Sequence, residues 1–205
     1  LDRWFLQAWA GNHEQALFSI SQQIAAATLL ITASLIRVLW KEIAEALHEN
    51  KGARAMHFYS RSKRGLFFVS ACIMGVLRSR AQEILSLIFG VMYSGAAPVL
   101  AVMVIAAAYQ TLGQIEGTLL LASGRTKTGL WFNVVMAPIG IALSYFLVTT
   151  SSAHGEIPII GVGLGALGLA IKVLAIQIVT VNVLGYLLCR QMDWHFEWRS
   201  EEHTS

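Results

Sequence analysis

The sequence predicts an all-α, polytopic membrane helix bundle of about five full transmembrane helices plus a truncated N-terminal helix. Three observations lead there. Hydrophobic residues are 56% of the 205-residue chain and charged residues only 13%, about half the charged share of a typical soluble domain. The apolar residues are gathered into long runs, several of them near the ~20 residues that cross a bilayer core. Basic residues alternate between successive connections, which is how a membrane protein fixes its orientation. The net charge of +3 is then a topology signal. It does not suggest nucleic acid, because the basic residues flank apolar runs instead of interleaving with aromatic ones.

The elements follow in order. "LDRWFLQAWAGNH", residues 1–13, reads as the end of an amphipathic, aromatic-rich helix and a Gly-Asn turn. The first span is expected from about Leu17 to Trp40. Ser21, Thr28 and Thr32 share one of its faces, and back-bonding of their hydroxyls to the helix accounts for them. The second is expected from about Gly65 to Leu77, with "EILSLIFG" extending it past Arg78, Arg80 and Glu83. The third runs from about Pro98 to Ala122, the fourth from about Gly129 to Val148, and the fifth from about Ile159 to Leu188. Pro138 is expected to kink the fourth. Residues 1–192 then form one transmembrane lobe, and 193–205 a polar tail.

The connections give the orientation. Residues 41–64 carry Lys41, Lys51, Arg54, Arg61, Lys63 and Arg64, and "SGRTKTG" carries Arg125 and Lys127. "GVMYSGAAP" and "TTSSAHGEIP" carry no basic residue, and the tail has Arg190 and Arg199. Residues 41–64, 124–128 and the tail are therefore expected in the cytoplasm, with Arg78 and Arg80 as exceptions. Trp40, Trp131 and Trp194 fall at the expected inner boundaries.

Polar residues inside the spans are the candidate functional groups, since they are costly in hydrocarbon. Tyr109, Gly113 and Glu116 lie within about 60° of one another on a helix, flanked by Gln110 and Gln114. Leu112, Ile115 and Leu119 lie opposite and suit lipid. The polar face reads either as the wall of a substrate-lined cavity or, through Gly113-x-x-x-Gly117, as a close helix contact. Glu116 favours the cavity, because a carboxylate needs water or a cation. Lys172 lies about 20 Å along the fifth span from Ile159. It should face a cavity or pair with an acid such as Glu116. Arg37, one turn before the inner boundary, snorkels or faces a cavity. Asp2 and Arg3 could pair at the outer end of the first helix.

Other signals carry less. "GLGALG" matches G-x-G-x-x-G, but it opens a membrane span and has no preceding strand. Helix packing explains Gly161, Gly165 and Gly168 better. Cys72 and Cys189 look like packing residues. The histidines show no metal-ligand spacing, no cofactor motif is present, and no enzyme constellation is visible.

Four stretches, in this order along nearly the whole chain, resemble the polysaccharide flippase families of the multidrug/oligosaccharidyl-lipid/polysaccharide exporter superfamily. They are "LDRWFLQAWAGNHEQALFSIS", "VLWKEIAEALHENKGAR", "EILSLIFGVMYSGAAPVL" and "GTLLLASGRTKTGLWFNVV", followed by the similar "IIGVGLGALGLAIKVL". Lys41 and Asn50-Lys51 depart from the family's usual Pro and Gly-Asp, and Arg78 and Arg80 are unusually charged for their segment. The resemblance implies a C-terminal lobe, from the end of a seventh helix through a twelfth, whose partner is an N-terminal lobe of the same chain. It implies transport of undecaprenyl-linked oligosaccharide across the bacterial inner membrane. On that expectation Lys172, Arg37 and Arg3 are candidate phosphate or sugar contacts. Glu116 is a candidate coupling group, and Gln114 and Tyr109 are lumen-lining residues. A drug or cation antiporter of the same superfamily and a non-transporting membrane scaffold are the alternatives. The scaffold would pair Glu116 with Lys172 and leave no cavity.

Overall fold

In a computed structural model, residues 2–48, 52–122, 126–148 and 162–191 are described. They form α1 (Asp2–Trp9), α2 (Gly11–His48), α3 (Gly52–Ser79), α4 (Ala81–Phe89), α5 (Ala97–Ala122), α6 (Thr126–Val148) and α7 (Gly165–Gln191). A short 3-10 stretch, Val91–Ala96, leads into α5. Gly11, at φ +89°, makes the turn between α1 and α2, a conformation that only glycine adopts without strain.

Among the described residues, three helices are long and apolar enough to cross a membrane: Val91–Leu120, Gly129–Val148 and Gly165–Leu188. They mark the chain as an all-helical membrane protein, with fewer qualifying spans than the five expected. The expected second span fails for a physical reason. α3 carries Arg54, Arg61, Lys63, Arg64 and Arg78, and the run between Arg64 and Arg78 is about 20 Å long at 1.5 Å per residue, too short for a ~30 Å core. "EILSLIFG" does not extend it, because the chain breaks at Arg80 (φ −112°, ψ 16°) and α4 starts as a separate helix. The expected first span falls within α2, which continues unbroken to His48. The side chains of much of its second half, Arg37 included, lie outside the described residues.

The third span is the hub of the bundle. α5 packs against α2, α3 and α7, and its apolar side chains are spread round the helix, as a surrounded helix needs. This overturns the lipid-facing assignment of Leu112, Ile115 and Leu119, which are 7%, 2% and 1% exposed. They form an inner cluster with Tyr59, Leu66, Val181, Leu184 and Leu188. A second cluster, built on Leu6, Phe18, Leu85, Leu100, Val104, Val148 and Leu169, gathers α1, α2, α4, α5, α6 and α7 at the other end. Lipid tails are as apolar as leucine, so these clusters hold through close packing more than through exclusion of water. Exposed apolar side chains lie elsewhere, among them Leu130, Trp131, Val134, Val135 and Phe146 on α6 and Phe67, Phe68 and Val76 on α3. Cys72 is exposed on that side of α3, so it is not the packing residue expected.

The turn into α7 is tightly specified. Val162 and Leu164 donate backbone hydrogen bonds to the carbonyls of Phe146 and Leu147, each 3.1 Å. Gly163 and Gly165 take φ of +63° and +52°. A Cβ on Gly165 would lie 2.6 Å from Glu14 Oε2, and one on Gly168 would lie 2.8 Å from the Leu147 carbonyl. "GLGALG" is thus a turn and close-packing motif. It also moves the start of the fifth span from Ile159 to Gly165, so Lys172 lies only about two turns inside α7. α6 runs helical through Pro138. Ser21 donates to the Leu17 carbonyl at 2.8 Å and Thr28 to that of Ala25 at 2.6 Å. The side chain of Thr32 lies outside the described residues.

Candidate functional site

Among the described residues, two ion pairs form inside the bundle. At the end of the bundle that the sequence expectation makes the outer one, Lys172 of α7 is 6% exposed, and its Nζ lies 2.7 Å from Asp2 Oδ1 of α1. Ser144 of α6, fully buried, places its hydroxyl 3.1 Å from the same carboxylate oxygen and 3.0 Å from the Gly140 carbonyl. A lone ammonium at membrane depth costs about 3 kcal/mol on insertion scales, and the Asp2 carboxylate offsets that. Arg3 points into the same space and donates from its guanidinium to Gln22 Oε1 at 3.0 Å.

Asp2, Arg3, Gln22 and Lys172 line an open cavity of about 710 Å³ between α1, α2, α6 and α7. Asn133, Gly140, Val173 and Ile176 complete much of its wall. Gly140 matters to its shape: a Cβ there would come within 3.3 Å of Ile176 and 3.7 Å of the Lys172 Cε. A second cavity of about 520 Å³, lined by Gly117, Leu120, Lys127, Leu130, Asn133 and Leu184 among others, opens towards the inner end of α6. Asn133 lines both.

The inner charged cluster is separate. Glu116 of α5 is fully buried, and its Oε1 lies 3.1 Å from Lys63 Nζ of α3. The Lys63 ammonium also lies 3.4 Å from the Tyr59 hydroxyl and 5.6 Å from the centre of that ring. Glu116 Oε2 is buried with no hydrogen-bond partner. Gly113 turns to α7 instead, where a Cβ would meet Val181 at 3.5 Å. From Lys172 to the level of Val181 is about 13 Å along α7, so the two charged clusters are distinct sites.

The structure therefore brings Lys172 and Arg3 to one cavity and puts Glu116 elsewhere. Glu116 and Lys172 do not pair with each other, in contrast to the pairing a scaffold would need. Asp2 pairs with Lys172 and not with Arg3. Tyr109 packs against the inner apolar cluster. Gln114 is half-buried, and its carbonyl accepts from the Thr118 hydroxyl at 2.7 Å. The side chain of Arg37 lies outside the described residues. Sequence reasoning missed Lys63, placed in a cytoplasmic connection, and Ser144 and Asn133, which look like ordinary span residues. For Lys63 a signal existed: Tyr59 and Lys63 are four apart, on one helix face, directly before an apolar run.

Among the described residues, no group of three or more His, Cys, Asp or Glu side chains could hold a metal ion. Chemically, the outer cavity presents two cations against one carboxylate and suits an anionic or hydroxyl-rich group. No family model, curated protein or solved structure matches this chain.

Proposed function

We propose that the chain forms part of a transporter that flips undecaprenyl-linked oligosaccharide or polysaccharide precursors across the bacterial inner membrane. The observation that carries this reading is the open outer cavity with Lys172 and Arg3 on its wall. A lipid-linked sugar diphosphate cannot drag its head group through hydrocarbon. It needs a polar, partly cationic path, while its isoprenoid tail stays in the bilayer. Gln22 and Asn133 add amide groups suited to sugar hydroxyls. In this reading a second lobe of the same chain faces the cavity, and rocking of the two lobes opens it to each side in turn.

The test is genetic. Deleting the full-length gene should abolish surface polysaccharide and make undecaprenyl-linked repeat units accumulate inside the cell. Wild type should rescue, and Lys172→Ala should not. Normal polysaccharide in the deletion strain would sink the proposal. A drug or cation antiporter is the second reading. It is favoured by the unpartnered Glu116 Oε2, and a change in drug or cation sensitivity on deletion would support it.

A further inference from the structure

The outer cavity holds its most buried cation in check with a group from its own chain. Lys172 is shielded, its side chain 7% exposed, whereas the Asp2 side chain is 38% exposed and sits on the eight-residue helix α1. Of the two partners, Asp2 keeps part of its hydration and loses less by leaving. Arg3, beside it, is bonded to the neutral Gln22 amide, and no carboxylate among the described residues forms an ion pair with it. Gly140 borders the Lys172 side chain: a Cβ there would press on Ile176 at 3.3 Å and touch the Lys172 Cε at 3.7 Å.

We infer that Asp2 is a resident counter-ion that a phosphate-class anion displaces, so that the cavity binds phosphate by exchange at Lys172 and Arg3. A tetrahedral polyanion can take the ammonium as a point charge and the guanidinium through two parallel hydrogen bonds. Asp2 reaches only the first. When phosphate arrives, the carboxylate turns to water and Ser144 Oγ keeps its bond to the Gly140 carbonyl. When phosphate leaves, Asp2 returns and Lys172 is never left as a bare charge. The exchange weakens binding, and release does not strand a buried cation. The inference rests on the transport reading only for the identity of the natural ligand.

The test uses the purified full-length protein in detergent, with inorganic pyrophosphate as the probe and titration calorimetry as the readout. Asp2→Asn keeps the shape and the acceptor for Ser144 but removes the competing charge. It should bind pyrophosphate about fivefold or more tighter than wild type. Lys172→Gln and Arg3→Gln should each weaken binding by a similar factor, and Lys172→Gln should cancel the gain from Asp2→Asn. Ser144→Ala, which loosens the hold on Asp2, should tighten binding about twofold; it serves if Asp2→Asn fails to fold. Weaker or unchanged affinity in a folded Asp2→Asn or Ser144→Ala protein would overturn the inference, as would binding indifferent to Lys172→Gln. Repeating the titration in nanodiscs of phosphatidylcholine with and without phosphatidylglycerol separates the sources. Competition by the anionic lipid assigns the phosphate to a bulk lipid head group, and its absence assigns it to a diphosphate, free or lipid-linked. Exchange at Asp2 in a protein whose deletion spares polysaccharide would remove the transport reading alone, and the reverse pair of results would remove this inference alone.

Discussion

Lys63 Nζ lies 3.1 Å from Glu116 Oε1, with the carboxylate side chain fully buried and the lysine side chain 32% exposed. The pair is asymmetric. Losing the lysine strands a buried carboxylate, whereas losing the carboxylate leaves an ammonium with a way to water. Lys63→Met should therefore cost about 3–5 kcal/mol and Glu116→Gln about 1–3 kcal/mol. The double variant Lys63→Met/Glu116→Leu should recover much of the loss. Unfolding midpoints in mixed micelles check this, and equal losses for the two single variants would contradict the asymmetry.

The capping of α7 by another helix gives a second test. Glu14 Oε2 accepts a hydrogen bond from the Ala166 N–H at 2.8 Å, which satisfies one of the free donors at a helix start. Glu14→Ala should destabilise by about 1 kcal/mol, in the range of other lost caps. Glu14→Gln keeps an acceptor oxygen and should lose about half as much. If glutamine is no better than alanine, the charge and not the bond is what counts.

Two glycines should behave oppositely. A Cβ at Gly168 would meet the Leu147 carbonyl at 2.8 Å, while one at Gly75 would meet nothing within 4 Å. Gly168→Ala should push α6 and α7 apart and cost about 1–3 kcal/mol. Gly75→Ala, in the interior of α3, should gain up to about 1 kcal/mol from helix propensity alone. Thermal unfolding of the two variants side by side is sufficient.

Cys72 reports on the membrane surface. It is exposed on α3, and Phe68 and Val76, one turn away on either side, are 70% and 63% exposed. A spin label on Cys72, in a protein otherwise free of cysteine, should be relaxed more by oxygen than by a water-soluble nickel chelate. The reverse order would place this face of α3 in water.

Much of the architecture was legible in the sequence, because hydropathy in a membrane protein is a direct record of segment length. α5 and α6 begin and end within a few residues of the expected spans. The failures share a cause. Hydropathy ranks whole segments but cannot tell a neighbouring helix from a lipid, so Leu112, Ile115 and Leu119 were assigned to the wrong surroundings. Charge partners were equally hidden. Lys172 meets Asp2 across 170 positions and Lys63 meets Glu116 across 53, and no local pattern encodes such a meeting. Depth was misjudged for Lys172 because two left-handed glycines, Gly163 and Gly165, delay the start of α7.

Among the described residues, ion pairs tie α1 to α7 and α3 to α5, but none reaches α6. α6 is held by the Ser144 hydroxyl, by backbone bonds at its outer end and by glycine-sized contacts with α7. Yet Asn133 gives it a share in both cavities. It works as a party wall between two rooms, fastened by hydrogen bonds to α1 and to the turn before α7. A tilt of that wall would enlarge one room at the other's expense without breaking an ion pair.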